Sequence, residues 1–355
     1  MNEDQIPKIE LSIKNLREKN SRIYFLVQDT KGNAKASISY IYKLALTLKK
    51  AGYNAIILHE KPDYSGVSGW LGDIYMTELP HKSIEGQNLE ISPEDFVVIP
   101  ELYGFVMSQL TKLPCGKIVL CQAYDHVLET LQPGMTWPQL GFHKCITTSE
   151  FQKEYLESLM RGMSFDILTP SISESFEKQE IPAKPIIAIH SREQRDAVNV
   201  IKAFYIKFPQ YRWITFRDMR SLPEKDFANA LKDAFLSVWI DETSAYGTYP
   251  LESMKVGVPV MGLVPNLLPH WMNEQNGMWL NNKNQFPDFI ADFLQNWLED
   301  NINTTLTEEM NKTVESLPTN EYFEKTAIEL FDRYITSRAN SFEEQLNKLQ
   351  TTEEE

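Results

Sequence analysis

The segment from residue 235 to residue 264 constrains the fold of this chain more than any other stretch. It reads FLSVWIDETSAYGTYPLESMKVGVPVMGLV, two apolar runs separated by a polar loop and a short helical stretch. Thr248 can cap that helix, Pro250 is tolerated in its first turn, and Gly257 suits a left-handed helix end. Strand, helix and strand at this spacing predict a parallel βαβ unit, whose helix N-terminus can bind an anion.

Apolar runs alternate with helical patterns along the rest of the chain. Alternation of this kind is typical of open parallel sheets, and 355 residues are too many for one average hydrophobic core. We therefore predict an α/β protein of two Rossmann-like domains, whose parallel sheets face each other across a cleft. The predicted strands are residues 22–28, 53–60, 96–100, 117–122, 144–148, 165–168, 185–190, 211–216, 235–240, 258–264 and 277–280, and helices are predicted at 194–208, 222–235, 286–298 and 322–335.

The predicted domain boundary lies near a charged segment. Residues 173–185 carry two prolines and lack apolar periodicity, as expected of an interdomain linker. We expect an N-terminal Rossmann-like domain over residues 1–175 and a C-terminal Rossmann-like domain over 176–335. The polar, acidic segment 336–355 is expected to be a disordered tail.

Composition narrows the classes of function. The formal charge of −14, from 35 Lys and Arg against 49 Asp and Glu, argues against stable binding of duplex nucleic acid. The three cysteines lack metal-ligand spacing and favour a reducing compartment. The sequence has neither a signal peptide at its start nor an apolar run long enough to be a transmembrane segment. We expect a cytoplasmic protein.

The βαβ segment resembles the donor-binding motif of retaining glycosyltransferases with two Rossmann-like domains, the GT-B family 4 group. The family pattern contains two glutamates separated by seven residues. In this chain Glu252 matches the second glutamate, whereas Ser244 occupies the position of the first. The other residues in register with the motif are Gly247, Pro250, Leu251, Met254, Gly257, Pro259 and Val260.

The resemblance implies a set of donor-binding residues. Glu252 would bind the donor ribose, because the second glutamate has that role in the family. The donor diphosphate is assigned to Arg192, Arg195, Gly247, Thr248 and Tyr249. The nucleobase is assigned to Phe216 and Arg217, at the loop that follows the predicted strand 211–216. The donor sugar is assigned to Asp241, Glu242 and Ser244, where either a neighbouring carboxylate replaces the missing glutamate or the sugar lacks the hydroxyl group concerned.

In the N-terminal domain, four residues in loops that follow predicted strands are assigned to the acceptor side: Gly32, Asn33, Glu101 and Tyr124. Asp125 and His126 are candidate catalytic groups as adjacent ionisable residues, although Asp125 is equally explained as a helix cap, so the catalytic residue is left unknown. The chain has no phosphate loop, Asp-x-Asp motif or histidine pair with ligand spacing, so we expect no cofactor and no metal requirement.

These observations predict a glycosyltransferase that moves a sugar from a nucleotide-diphosphate donor to an acceptor hydroxyl with retention of configuration. The acceptor is unknown and can be a glycan, a lipid, a protein or a modified nucleobase. Two alternatives remain open. One is a nucleotide-sugar epimerase of the same architecture, and the other is a catalytically silent nucleotide-sugar-binding protein.

Overall fold

The computed structural model describes residues 5–86, 89–178, 183–241, 245–301 and 304–353. The chain divides into two compact units. The first unit comprises Met1–Thr169 and Glu321–Glu355, and the second comprises Pro170–Asn320. None of the described helices is both long and apolar enough to cross a membrane.

The first unit contains a seven-stranded parallel sheet. Its strands are β1 (Arg22–Val27), β2 (Asn54–His59), β3 (His81–Ser83), β4 (Phe96–Pro100), β5 (Gly116–Cys121), β6 (Lys144–Thr147) and β7 (Ser164–Ile167). They lie in the order β3-β2-β1-β4-β5-β6-β7. Helix α1 (Ile6–Arg17) precedes β1, and the helices between the strands are α2 (Ala36–Lys50), α3 (Ile74–Thr77), α4 (Met107–Leu110), α5 (Asp125–Thr130) and α6 (Glu150–Leu159).

Both faces of this sheet are covered. In β1, Phe25 packs into the core that contains α2, whereas Tyr24 and Leu26 pack into the core of the opposite face. Neighbouring residues of a strand point to opposite faces, so a strand covered on both sides is apolar at nearly every position. This explains why the strands of this unit read as continuous apolar runs.

The second unit contains a five-stranded parallel sheet. Its strands are β8 (Ile186–His190), β9 (Thr215–Asp218), β10 (Leu236–Trp239), β11 (Val260–Leu263) and β12 (Met278–Leu280), in the order β12-β11-β10-β8-β9. The helices are α7 (Gln194–Lys207), α8 (Glu224–Asp233), α9 (Thr248–Val256), α10 (Phe286–Leu298) and α11 (Thr304–Glu315). The predicted βαβ unit is therefore β10, α9 and β11, which confirms the parallel arrangement expected from the sequence.

The last helix corrects the prediction for the end of the chain. Helix α12 runs from Asn320 to Glu353, so residues 336–353 are helical where a disordered tail was expected. Its apolar stripe continues through Ala339 and Phe342, which are buried in the first unit. The Phe331 ring lies 6.1 Å from that of Phe25. The helix therefore belongs to the first unit, although it follows the second unit in the sequence.

The boundary between the units also differs from the predicted one. It lies after Thr169, six positions before the predicted domain end. Phe176 is 2% exposed in the core of the second unit, and the hydroxyls of Ser173 and Ser175 donate hydrogen bonds to Glu224 of α8. The first part of the predicted linker is therefore packed onto the second unit. Residues 179–182 of that linker lie outside the described residues.

Candidate functional site

The candidate donor site lies at the carboxyl edge of the second unit's sheet. His190 ends β8, Asp218 ends β9, and Asp241 follows β10 closely. In the sheet register His190 is opposite Trp239, and Asp218 is opposite Ile189. In open parallel sheets ligands bind at the carboxyl ends of the strands, where the loops and helix starts collect.

Asp241 connects two of these strand ends. Its carboxylate accepts a hydrogen bond from the main-chain N–H of Arg192, and the Ser191 hydroxyl lies 3.5 Å from its Oδ1 atom. Burial raises the pKa of Asp241, while the hydrogen bond from Arg192 and the positive charges of Arg192 and Lys283 act in the opposite direction. The sequence analysis assigned Asp241 to the donor sugar. In the structure its carboxylate holds the loop after β8.

His190 is a neutral, largely buried imidazole at the centre of this edge. Burial lowers its pKa to about 4, with charges of opposite sign from Asp218 and Arg220 nearby. Its Nδ1 atom lies 3.7 Å from the Asp241 carboxylate, and its ring lies 4.1 Å from that of Tyr249. At neutral pH His190 therefore contributes a polar but uncharged surface.

The start of α9 lies beside this edge. Gly247 occupies the N-cap with φ of 82° and ψ of 54°, a left-handed conformation that glycine adopts without strain. The prediction had Thr248 as the cap, but Thr248 is the first helical residue. The Tyr249 ring lies between His190 and Phe227, with its centroid 5.0 Å from that of Phe227. The first N–H groups of a helix lack intrahelical partners, so this start can bind an anion.

Two further side chains define this region. The indole N–H of Trp271 donates to the carbonyl oxygen of Tyr246 at 2.7 Å, which fixes the residue before the cap. Glu252 lies in the second turn of α9, half-buried, and its charge contributes to the raised pKa of Tyr249, for which burial is the main cause. The structure places Glu252 on the helix whose start forms the candidate anion site.

The residues assigned to the diphosphate and those assigned to the nucleobase lie in different kinds of structure. Arg192 lies in the loop after β8, and Arg195 lies in the first turn of α7, and both are exposed. Phe216 and Arg217 are not in a loop but in β9, because a 3₁₀ turn at Pro209–Tyr211 delays the start of the strand beyond the predicted position.

The side chains of these two strand residues are engaged within the unit. The Phe216 ring packs 5.4 Å from Phe204 of α7, and Arg217 forms an ion pair of 3.2 Å with Asp233. The residues that end β9 at the candidate edge are instead Asp218 and Arg220, whose side chains form an ion pair. The hydrogen bonds from the Arg220 side chain are the main cause of the lowered pKa of Asp218, while burial acts in the opposite direction.

Two predicted donor-sugar residues, Glu242 and Ser244, lie outside the described residues. In the first unit, the predicted acceptor-side residues Gly32 and Asn33 lie in the loop that follows β1. After β1, the main-chain N–H of Gly32 donates to the Ser65 hydroxyl at 3.0 Å, and the Asn33 amide donates to the Thr30 carbonyl at 3.1 Å. Gly32 has φ of 78° and is exposed.

Glu101 has a different environment from the one predicted. It is 2% exposed, and its carboxylate accepts hydrogen bonds from the main-chain N–H groups of Gln122 and Ala123, each at 3.1 Å. Burial raises its pKa to about 7 against these hydrogen bonds. Tyr124 is also buried, with its ring 5.1 Å from that of Tyr155. Both residues connect elements of the first unit.

Asp125 and His126 lie at the start of α5. Asp125 accepts a hydrogen bond from the main-chain N–H of His126 at 3.0 Å, but it is the first helical residue, and Tyr124 occupies the N-cap without a side-chain cap bond. The His126 ring instead contacts the Glu129 carboxylate at 3.1 Å. Ligand atoms of these three side chains lie within 4.8 Å of one another, so they can hold a metal ion. Exposed acidic groups often cluster in this way without one.

The sequence analysis missed a histidine pair in the first unit. His59 ends β2, His81 begins β3, and their Nε2 and Nδ1 atoms lie 2.9 Å apart. His81 Nε2 contacts the Tyr75 carbonyl oxygen at 3.1 Å, so it carries a proton and His59 donates to His81. Tyr64 stacks on His59 with centroids 3.5 Å apart. No sequence motif indicated this pair, because the two residues are 22 positions apart.

Comparison with solved structures identifies the architecture as that of GT-B glycosyltransferases. The chain is similar to sucrose-phosphate synthase from Thermosynechococcus elongatus, with a TM-score of 0.63 and 12% identity over 89% of this chain and 100% of that chain. It is also similar to Anabaena HepE in complex with UDP and glucose, with a TM-score of 0.61 and 10% identity over 88% of this chain and 100% of that chain.

A third similar structure is TarM of S. aureus in a complex that contains UDP, with a TM-score of 0.62 and 8% identity over 88% of this chain and 99% of that chain. No protein-family model matches the sequence, and no curated protein matches it. At these identities the likeness shows the fold. It confirms the predicted α/β architecture with one parallel sheet in each of two units.

Proposed function

We propose that this chain is a glycosyltransferase that transfers a sugar from a UDP-sugar to an acceptor hydroxyl with retention of anomeric configuration. The observation that carries the proposal is the start of α9. Gly247 in its left-handed N-cap places the first turn of the helix beside His190 and Asp241, and Glu252 follows in the second turn. Open helix N–H groups, a half-buried carboxylate and nearby arginines suit a nucleoside diphosphate with its ribose.

The ribose and the diphosphate of the donor each have proposed partners in the second unit. Glu252 accepts hydrogen bonds from the ribose hydroxyls, since a carboxylate has two acceptor oxygens. The diphosphate lies against the N–H groups of Thr248 and Tyr249 and is neutralised by Arg192, whose planar group matches phosphate oxygens. Arg195 adds a second positive charge. The resemblance of the motif to family 4 enzymes and the UDP-containing complexes of HepE and TarM support this arrangement.

In the proposed reaction, the bond between the anomeric carbon and the diphosphate oxygen breaks, and the acceptor oxygen bonds to the same face of the sugar. The departing phosphate oxygen accepts the proton of the acceptor hydroxyl, so no protein base is assigned. Negative charge grows on the diphosphate as it departs, and positive groups already in position stabilise the transition state. Because side chains and helix N–H groups supply this stabilisation, we propose that the reaction is metal-independent, and we place it in the cytoplasm.

A donor assay distinguishes this proposal from the two alternatives. The protein is incubated with UDP-glucose, UDP-N-acetylglucosamine and UDP-xylose, alone and with glycan, glycerolipid or peptide acceptors, in the presence of EDTA. We expect release of UDP that increases with one acceptor class, and a product with the donor's anomeric configuration by NMR. Conversion of the donor sugar without an acceptor would identify an epimerase. Binding of UDP without turnover of any donor would identify a silent protein.

A further inference from the structure

Lys283 lies close to the candidate diphosphate site although it is distant in sequence. It follows β12 and begins a one-turn 3₁₀ helix, Lys283–Gln285, which is held by a capping box from Asn282. Its ammonium group forms an ion pair with Asp196 in the first turn of α7. Its charge also acts on the carboxylate of Asp241. Lys283 therefore connects the loop after β12 to the helix start that carries Arg195.

The charged groups around Lys283 and the exposure of its side chain suit the binding of an anionic ligand. The Asp241 carboxylate is held by the Arg192 main chain, and the Asp196 carboxylate accepts a hydrogen bond from Lys283. The Lys283 side chain is 48% exposed, so its ammonium group can reach a ligand. A lysine is a compact charge on a flexible chain and can exchange one anion for another. In the structure the anion that Lys283 contacts is the Asp196 carboxylate.

We propose that Lys283 is a further diphosphate-binding residue, and that Asp196 holds its ammonium group until the nucleotide binds. This inference rests on the proposed function, because it adds a residue to the same donor site. Together with Arg192 and Arg195, Lys283 supplies a third positive charge, which comes from the loop after β12. In this role Lys283 opposes the negative charge of the departing UDP.

A second lysine provides a matched control. Lys207, at the end of α7, forms an ion pair of 2.8 Å with Asp288 in the first turn of α10. Its side chain is 49% exposed, nearly the same as that of Lys283. The two pairs have the same residue types, but Lys207 is eleven residues from Asp196 along α7, or about 16 Å at the helical rise of about 1.5 Å per residue. Loss of Lys207 should therefore leave nucleotide binding unchanged.

The test uses two substitutions that break the same ion pair. Lys283→Met removes the positive charge. Asp196→Asn keeps the Lys283 charge and removes the negative charge that pairs with it. UDP is titrated into each full-length variant by calorimetry at low and moderate salt, and uridine binding is followed by ligand-detected NMR. We expect Lys283→Met to weaken UDP binding roughly tenfold or more, with uridine unaffected. We expect Asp196→Asn to bind UDP at least as tightly as the wild type, and Lys207→Met to match the wild type.

Two results would overturn the inference while the proposed function stands. One is UDP affinity in Lys283→Met equal to that of the wild type. The other is an equal loss in Lys283→Met and Asp196→Asn, which would show that the ion pair acts only by holding α7 in place. Melting temperatures of the variants identify any loss of binding that comes from misfolding. If Lys283→Met is misfolded, Lys283→Arg, which keeps the positive charge, is tested in its place and should retain UDP binding. A wild-type protein that binds neither UDP nor uridine would instead refute the proposed function.

Discussion

The carboxylate of Asp241 accepts a hydrogen bond from the main-chain N–H of Arg192 and thereby joins the ends of two neighbouring strands, β10 and β8. The bond fixes the loop that carries the Arg192 side chain. Asp241, which was assigned from the sequence to the donor sugar, thus positions Arg192, which was assigned to the diphosphate. The roles of Asp241 and Arg192 are therefore linked through this hydrogen bond.

The first prediction compares two substitutions of Asp241. Asp241→Asn keeps an oxygen that accepts the Arg192 N–H, so we expect UDP affinity within about threefold of the wild type. Asp241→Ala removes the acceptor of the Arg192 N–H and so loosens the loop that carries Arg192. We expect calorimetry to show UDP binding weakened about tenfold in the alanine variant. Equal losses in both variants would mean that the charge of Asp241 itself contacts the donor.

The second prediction concerns the Arg192 side chain. Arg192→Lys retains the charge but loses the two-pronged geometry, so we expect turnover of a UDP-sugar to fall in the lysine variant and further in Arg192→Ala. The loss in turnover should exceed the loss in UDP affinity, because charge grows on the diphosphate in the transition state. Steady-state kinetics measure both. Arg212→Ala, an exposed arginine in the turn after α7, is the control, and unchanged kinetics in Arg192→Ala would exclude the assignment.

The third prediction is a pH dependence of stability from His59. Burial, with the neighbouring His81, lowers the pKa of folded His59 to about 4, against about 6.5 in the unfolded chain. Between these values the unfolded chain binds a proton that the folded protein does not, so stability falls as the pH falls from about 6.5 towards 4. One such group contributes a slope of at most about 1.4 kcal/mol per pH unit.

Urea denaturation at a series of pH values measures this slope. His59→Phe should make the loss of stability between pH 6.5 and pH 5 shallower than in the wild type. His143→Ala, which changes an exposed histidine of the same unit, should leave the slope unchanged. A His59→Phe protein with the wild-type slope would show that His59 is not held neutral.

The fourth prediction separates a structural from a catalytic role for Glu101. Glu101→Gln keeps one carbonyl oxygen to accept a main-chain N–H, whereas Glu101→Ala leaves the N–H groups of Gln122 and Ala123 unpaired. We expect the alanine variant to lose roughly 2–4 kcal/mol of unfolding free energy and the glutamine variant much less. Chemical denaturation measures both. A stable Glu101→Ala protein with reduced turnover would instead place Glu101 in the reaction.

The sequence predicted most of the fold because its strands are buried on both faces. Such strands read as apolar runs, and the runs at residues 22–28 and 96–100 coincide closely with β1 and β4. The end of α12 was not predictable in the same way. Ala339 and Phe342 are isolated among polar residues, and only their packing in the first unit shows that the helix continues.

The sequence predicted the part of the candidate site that lies within one continuous motif. The spacing of Gly247 and Glu252 placed both residues on one helix start, and the structure has them there. The links between strand ends were not predictable. Asp241 contacts the Arg192 loop across 49 positions, and Lys283 contacts Asp196 across 87 positions. Contacts over such separations depend on the order of strands in the sheet, which the sequence pattern does not specify.

Titration of UDP into the wild-type protein and into Glu252→Ala and Glu252→Gln tests the central claim most directly. The account predicts that the wild type binds UDP, that the glutamine variant binds it more weakly, and that the alanine variant loses roughly ten- to hundredfold in affinity with its melting temperature retained. A folded Glu252→Ala protein that binds UDP as tightly as the wild type would contradict the account.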